Sequence, residues 1–118
     1  MCDCLASSFV RNSRLTGCKV AIASRNEEKL AKAAKELSEV GEIKYFKCNI
    51  KNEENVKSTI ASTIESLGHI DFLVNNGGGQ FPLMANKMHL KAWNAVVETN
   101  LTGTFLMSRE GEKVMFRI

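Results

Sequence analysis

The sequence predicts an α/β protein with a partial doubly wound, Rossmann-like parallel sheet and flanking helices. Short apolar runs rich in β-formers alternate with stretches that repeat apolar residues at helical spacing. Such alternation predicts parallel strands joined by right-handed crossovers. The expected order is strand, helix, strand, helix, strand, helix. All of it belongs to a single partial domain over residues 1–118, with atypical ends at 1–16 and 108–118.

The first strand–helix pair is predicted from residue 19 onward. Residues 19–24, K-V-A-I-A-S, form a buried strand, and residues 5–10 before it allow either a poor helix or a short strand. Asn26 is a suitable N-cap, because two glutamates in the following turn favour the helix dipole. The helix has one apolar face and is expected to end at Gly41; that face comprises Leu30, Ala33, Ala34 and Leu37.

The second pair repeats this pattern. Residues 43–48 form a strand, and Asn52 caps a helix whose first turn again carries two glutamates. Gly68 is expected to end that helix. Its apolar face comprises Val56, Ile60, Ile64 and Leu67.

The third pair contains the stretch that organises the chain, H-I-D-F-L-V-N-N-G-G-G over residues 69–79. Residues 70–74 predict a buried strand, and the glycines that follow either admit a ligand close to the main chain or form a flexible turn. A helix is expected from about Met88, and Gly103 within it suggests a bend or close packing. Its apolar stripe comprises Trp93, Val96, Val97 and Leu101.

Composition excludes several classes of function. The net charge is +3 and the charges are scattered, so no basic stripe predicts nucleic-acid binding. No apolar run reaches membrane-spanning length, and the first residues do not resemble a secretory signal. Cysteines occur at four positions that match no zinc spacing, so we expect reduced thiols and no metal site. Those positions are Cys2, Cys4, Cys18 and Cys48.

Polar or small residues follow all three predicted strands. Ser24-Arg25 ends the first, Asn49-Ile50 ends the second and the glycine stretch ends the third. In open α/β sheets ligands bind at this carboxyl edge, and an arginine there suits the 2′-phosphate of NADP. The alternative for Arg25 is an ordinary surface residue. Agreement among three strand ends favours a nucleotide site.

Asn100 shares a helix face with Trp93 and Val96. A buried amide on such a face needs hydrogen-bond partners. It either satisfies neighbouring backbone groups or holds an ordered water in a proton relay.

Four motifs resemble the short-chain dehydrogenase/reductase family: R-N-E-E-K-L, C-N-I-K-N-E-E, F-L-V-N-N-G-G-G-Q-F and W-N-A-V-V-E-T-N-L-T-G-T-F. N-N-G-G-G-Q-F is most similar to the peroxisomal trans-2-enoyl-CoA reductases of that family. The resemblance implies a Rossmann fold, NADPH (NADP) as cofactor and trans-2-enoyl-CoA as substrate. It also implies homo-oligomers and, for the full-length family, a peroxisomal location. Without the C-terminal targeting tripeptide, we expect this chain in the cytoplasm.

The resemblance assigns roles residue by residue. Asn100 matches the catalytic asparagine of the family. The remaining matches are cofactor-binding positions: Ser24 and Arg25 at the 2′-phosphate, Asn49 and Ile50 beside the adenine, and Asn75, Gly77 and Gly78 along the ribose and nicotinamide.

Three departures limit the activity that the resemblance implies. The family's first strand with its glycine-rich turn is absent, and its Tyr-x-x-x-Lys is missing, since the sole tyrosine, Tyr45, precedes Asn49 at that spacing. Residues 108–118 look unrelated to the family. The missing strand would lie centrally, so residues 5–10 replace it, or the flanking strands pair directly, or the domain is unstable. We expect a truncated, inactive reductase. The alternatives are a non-catalytic NADP-binding or subunit-pairing fragment, and a structural fragment with no ligand.

Overall fold

The computed structural model describes residues 17–40 and 42–116. Two strands, β1 (Val20–Ser24) and β2 (Ile43–Lys47), form a parallel sheet in which Val20 lies opposite Ile43 and Ser24 opposite Lys47. The first two predicted strands are therefore confirmed to within a residue, but the expected burial of the first is wrong, since no residue of β1 is buried. The α/β class with a parallel sheet and flanking helices is confirmed as well.

The first two helices begin at the predicted caps. α1 (Glu27–Leu37) is capped by Asn26, whose Oδ1 accepts from the Lys29 backbone N–H at 3.0 Å. α2 (Glu53–Leu67) is capped in the same way by Asn52, and it ends at Gly68 with a φ of 90°. α1 continues into a short 3₁₀ turn, Ser38–Val40, and Gly41 lies outside the described residues.

The third helical region consists of three consecutive segments. α3 (Leu90–Val97) leads into a π-helical turn, Glu98–Thr102, and then into α4 (Gly103–Met115). The N–H of Gly103 donates to the carbonyl of Glu98, which is the wide bonding of a π turn. α4 includes residues 108–115, which are most of the C-terminal segment 108–118 that the sequence predicts to be atypical.

The predicted third strand is wrong for the described part of the chain. Residues 70–74 form no hydrogen-bonded ladder with any other described strand, and the Phe72 side chain is 82% exposed. A strand exists only when its backbone groups pair with a neighbour. In the doubly wound order that neighbour is the central strand, and no described residue fills its place beside β1. Direct pairing of the flanking strands is thus excluded here, and residues 5–10 lie outside the described ranges.

Buried apolar side chains on α1 and an apolar cluster at the end of β2 stabilise this arrangement. On α1 the buried side chains are Leu30, Ala34 and Leu37. Around the end of β2 the buried core comprises Cys48, Val56 and Leu106, with Ile50 and Met107 packed against it. The cluster at the end of β2 joins α2 and α4 to the sheet and therefore supports the strand edge described below.

The predicted stripe on the third helix is only partly confirmed. Val96 and Val97 are half-buried, but Trp93 is 58% exposed and Leu101 68% exposed. Leu101 lies in the π turn, where regular helical spacing no longer holds. Trp93 has no described sheet surface to cover it. Across residues 17–40 and 42–116, no helix combines the length and apolarity that crossing a bilayer requires.

Charged side chains also hold α4 to the start of α2. Arg109 pairs with Glu53 and with Glu110, and Lys113 donates to both Glu110 carboxylate oxygens at 2.8 and 2.9 Å. The hydrogen bond from Lys113 is the main cause that lowers the pKa of Glu110, while that from Arg109 is the main cause that lowers the pKa of Glu53. Both carboxylates therefore stabilise the fold in their ionised form.

Acid is expected to weaken the fold through these carboxylates. Because their folded-state pKa values lie below those of the unfolded chain, their stabilisation is complete above the unfolded value and is lost as the pH falls through the folded one. Denaturant melts at pH 7 and below about pH 4 should show a larger loss for the parent protein than for Glu110→Gln. Equal losses in the two proteins would exclude Glu110 as a source of the acid sensitivity.

Candidate functional site

The two strands end side by side. The Cys48 N–H donates to the Ser24 carbonyl at 2.8 Å, so Arg25 and Asn49 leave the sheet at the same edge. Arg25 is exposed and makes no ion pair or hydrogen bond with the other described residues. It lies in an open depression lined by residues 24–29, beside the N-terminus of α1. The arrangement places a cation beside a helix N-terminus, which suits an anion, and Glu27 and Glu28 line the same depression.

The turn after β2 is organised by Asn49. Its Oδ1 accepts from the Lys51 N–H at 3.2 Å, its carbonyl accepts from the Asn52 N–H at 2.9 Å, and its own N–H donates to Asn55 Oδ1 at 3.3 Å. The Asn49 side-chain NH₂ has no partner among the described residues. That donor is the part of Asn49 left for a ligand.

The glycine run has a structural purpose that the sequence does not reveal. A Cβ on Gly77 would lie 2.9 Å from Ile50 Cδ1, and one on Gly78 would lie 2.7 Å from Asn100 Oδ1. Neither glycine has a left-handed φ. Both positions therefore favour glycine because protein side chains occupy the space that a Cβ would need. Within residues 77–79, only Gly79 would have no described atom within 4 Å of an added Cβ.

Asn100 connects residues 75–79, called the glycine loop below, to the third helical region through hydrogen bonds. Its Nδ2 donates to the Gly79 carbonyl at 2.7 Å and to the Val96 carbonyl at 2.8 Å, while its Oδ1 accepts from the Gly79 N–H at 3.3 Å. Asn100 is exposed, so the expectation that it is buried is wrong. Of the two alternatives from the sequence, the structure shows the amide bonding to backbone; its role in a proton relay stays a prediction.

Two further links were missed by sequence reasoning. Asn75 Nδ2 donates to Ser108 Oγ at 3.0 Å, which ties the start of the loop to α4. Lys51 and Glu98 form an ion pair at 3.7 Å between the turn after β2 and the π turn. Partners so far apart in the chain leave no periodic signal in the sequence.

The predicted site residues therefore fall into two groups. Ile50 and Asn100 each contact the glycine loop, and Asn49 adjoins Ile50 in the turn. Ser24 and Arg25 reach the same edge through the neighbouring strand. The assignment of these residues to a cofactor stays a prediction.

A parallel α/β unit with polar groups along the carboxyl edge of its strands is typical of Rossmann-like nucleotide-binding proteins. The chain belongs to the short chain dehydrogenase family, whose model matches residues 2–117. The match includes nearly all of residues 1–16 and 108–118, the two ends that the sequence predicts to be atypical.

Curated relatives of this chain include reductases of CoA thioesters. It is 31% identical over 106 residues to a protein of Bacillus subtilis (strain 168) named probable 2,4-dienoyl-CoA reductase, covering 89% of this chain and 42% of the relative. It is 32% identical over 95 residues to a peroxisomal 2,4-dienoyl-CoA reductase of Danio rerio, covering 79% of this chain and 32% of the relative. The chain thus spans less than half the length of these relatives.

Solved structures of the family superimpose closely on this chain. A variant of actinorhodin polyketide ketoreductase with NADPH is 30% identical with a TM-score of 0.87, covering 91% of this chain and 41% of that one. A short chain dehydrogenase from Mycobacterium smegmatis is 26% identical with a TM-score of 0.88, covering 92% and 46%.

The glycine contacts predict opposite effects at adjacent positions. Gly78→Ala should destabilise the protein by about 1–3 kcal/mol, because the new methyl group displaces the Asn100 amide. Gly79→Ala should be neutral or stabilising by up to about 1 kcal/mol, since nothing described obstructs the methyl group and the φ is ordinary. Denaturant unfolding of both variants measures this difference. Equal destabilisation would contradict the contact between Gly78 and Asn100.

Proposed function

We propose that this chain is the cofactor-binding part of an NADPH-dependent reductase that acts on the double bond of trans-2-enoyl-CoA. Its own residues bind the adenosine side of NADP. The observation that carries the proposal is Arg25, which is exposed at the carboxyl end of β1 beside the Asn49 turn. The similarity to two 2,4-dienoyl-CoA reductases supports a CoA-thioester substrate. The ketoreductase structure with NADPH supports a nicotinamide cofactor.

The residues at this edge fit the 2′-phosphate of NADP. An acidic residue in this region would favour the free ribose hydroxyl of NAD, whereas Arg25 can donate to the phosphate from its planar guanidinium. Ser24 adds a hydroxyl beside it, and Asn49 has a free side-chain donor for the adenine side. The cofactor, when bound, supplies the hydride. The chain's contribution is to bind and orient it.

Residues 1–118 do not contain the Tyr-x-x-x-Lys that donates the proton in the family's reaction. Tyr45 is the only tyrosine, it lies within β2, and the residue four positions on is Asn49 rather than lysine. Protonation of a reduced substrate needs a positioned group of suitable pKa. We therefore propose that the chain alone binds cofactor without catalysing reduction.

Two measurements on the purified chain test this proposal. Calorimetric titration should show tighter binding of NADP⁺ than of NAD⁺. An absorbance assay with NADPH and trans-2-decenoyl-CoA should show no oxidation above the protein-free rate. Equal affinity for both dinucleotides, or no binding, would contradict the cofactor assignment, and measurable turnover would contradict the absence of a proton donor.

A second candidate function is pairing with another subunit. Large apolar side chains are exposed on the third helical region and could be covered by a second copy: Leu90, Trp93, Leu101 and Phe105. Sedimentation velocity should then show a dimer that Phe105→Glu converts to a monomer. A monomeric parent protein would remove this candidate.

A further inference from the structure

The Ile50 side chain lies against two glycines from different segments, Gly77 and Gly103. A Cβ on Gly103 would lie 2.6 Å from Ile50 Cγ1 and 2.7 Å from its Cδ1, and one on Gly77 would lie 2.9 Å from the same Cδ1. On its other side Ile50 packs against the core of Cys48, Val56 and Leu106. It therefore lies between the glycine loop and the first residue of α4.

We infer that Ile50 is a positioning residue that holds the glycine loop in a fixed place relative to the turn after β2. This inference rests on the proposed function, because it concerns how one dinucleotide is bound at two places. Arg25 and Asn49 lie at the adenosine side of the proposed dinucleotide site. The glycine loop, with Asn100 bonded to Gly79, lies where the family resemblance places the nicotinamide side.

Gly77 and Gly103 show how contact with Ile50 can fix the position of the glycine loop. Neither Gly77 nor Gly103 adopts a left-handed φ, so backbone conformation does not require glycine at either position. Instead, each lacks a side chain at a point where Ile50 occupies the space. Close-packed interiors transmit small displacements because they contain few voids. A shorter side chain at position 50 should therefore let the loop shift.

Ile50→Val is the smallest change that tests this contact. It removes Cδ1, the atom nearest to Gly77, and keeps the branched Cβ. NADP⁺ affinity should fall by up to about fourfold, the equivalent of one buried methylene group. Adenosine 2′,5′-bisphosphate, which ends before the glycine loop, should lose less affinity than NADP⁺, because only the dinucleotide reaches the loop that Cδ1 contacts.

A second substitution should restore the contact. Gly77→Ala alone should weaken NADP⁺ binding, because its methyl group meets Ile50 Cδ1 at 2.9 Å. In the Ile50→Val background the same methyl group fills the vacated space, so the double variant should bind more tightly than either single variant. Ile60→Val is the matched control. It shortens a buried side chain on α2 and should leave both ligands unaffected.

Calorimetric titration of NADP⁺ and adenosine 2′,5′-bisphosphate into these variants measures both affinities and tests the role of Ile50. The inference is supported if NADP⁺ loses clearly more affinity than adenosine 2′,5′-bisphosphate and the double variant recovers. It is overturned if both ligands weaken equally, or if Ile50→Val binds NADP⁺ like the parent. A folded parent protein that binds no NADP⁺ would overturn the proposed function, and this inference with it.

Discussion

Leu106→Ala should lower the free energy of unfolding by about 2–5 kcal/mol, the usual cost of truncating a buried leucine. Leu106 is 7% exposed and packs with Cys48 and Val56, so it joins α4 to α2 and to the end of β2. A cavity there cannot be filled without moving one of these elements. Urea unfolding followed by circular dichroism measures the change.

Leu101→Ala is the control for this prediction. The same chemical change at a side chain that is 68% exposed should alter stability by no more than about 0.5 kcal/mol. Both variants should be compared at a concentration where the protein is monomeric. If Leu101→Ala proved as costly as Leu106→Ala, the described orientation of the third helical region would be wrong.

Arg25→Ala should weaken NADP⁺ binding by about 10- to 100-fold, because hydrogen bonds to a charged group contribute about 1.5–3 kcal/mol. NAD⁺ lacks the 2′-phosphate, so its affinity should stay the same. The preference for NADP⁺ would then disappear in this one variant. Competition binding with both dinucleotides measures the loss.

Lys32→Ala provides the matched control, because it removes one positive charge from an exposed position on α1 outside the depression around Arg25. It should leave the NADP⁺ preference intact. If Lys32→Ala and Arg25→Ala weakened NADP⁺ equally, the effect would reflect overall charge. Arg25 would then have no specific role.

The features predicted correctly from the sequence are those determined by neighbouring residues. Asn26 and Asn52 cap their helices as expected, because a capping side chain bonds to backbone three residues away. Gly68 ends α2 because its positive φ suits glycine. β1 and β2 were predicted because each contains β-branched or aromatic residues that favour strands, and the two strands pair with each other.

The features predicted wrongly depend on distant parts of the chain. Residues 70–74 have the composition of a strand but no described partner beside them. Leu101 follows helical spacing, but a π turn changes its direction. Gly77 and Gly78 suggested room for a ligand, whereas the space beside each is occupied by Ile50 or Asn100. None of these contacts has a local sequence signal.

The central claim is that the ends of β1 and β2 and the glycine loop form one nucleotide-binding edge. Backbone amide shifts in a two-dimensional NMR titration with NADP⁺ test it most directly. We expect the largest shifts at Arg25, Asn49 and Gly79, with none at exposed positions of α1 such as Lys32. Shifts confined to one of the three segments, or centred elsewhere, would contradict a shared edge.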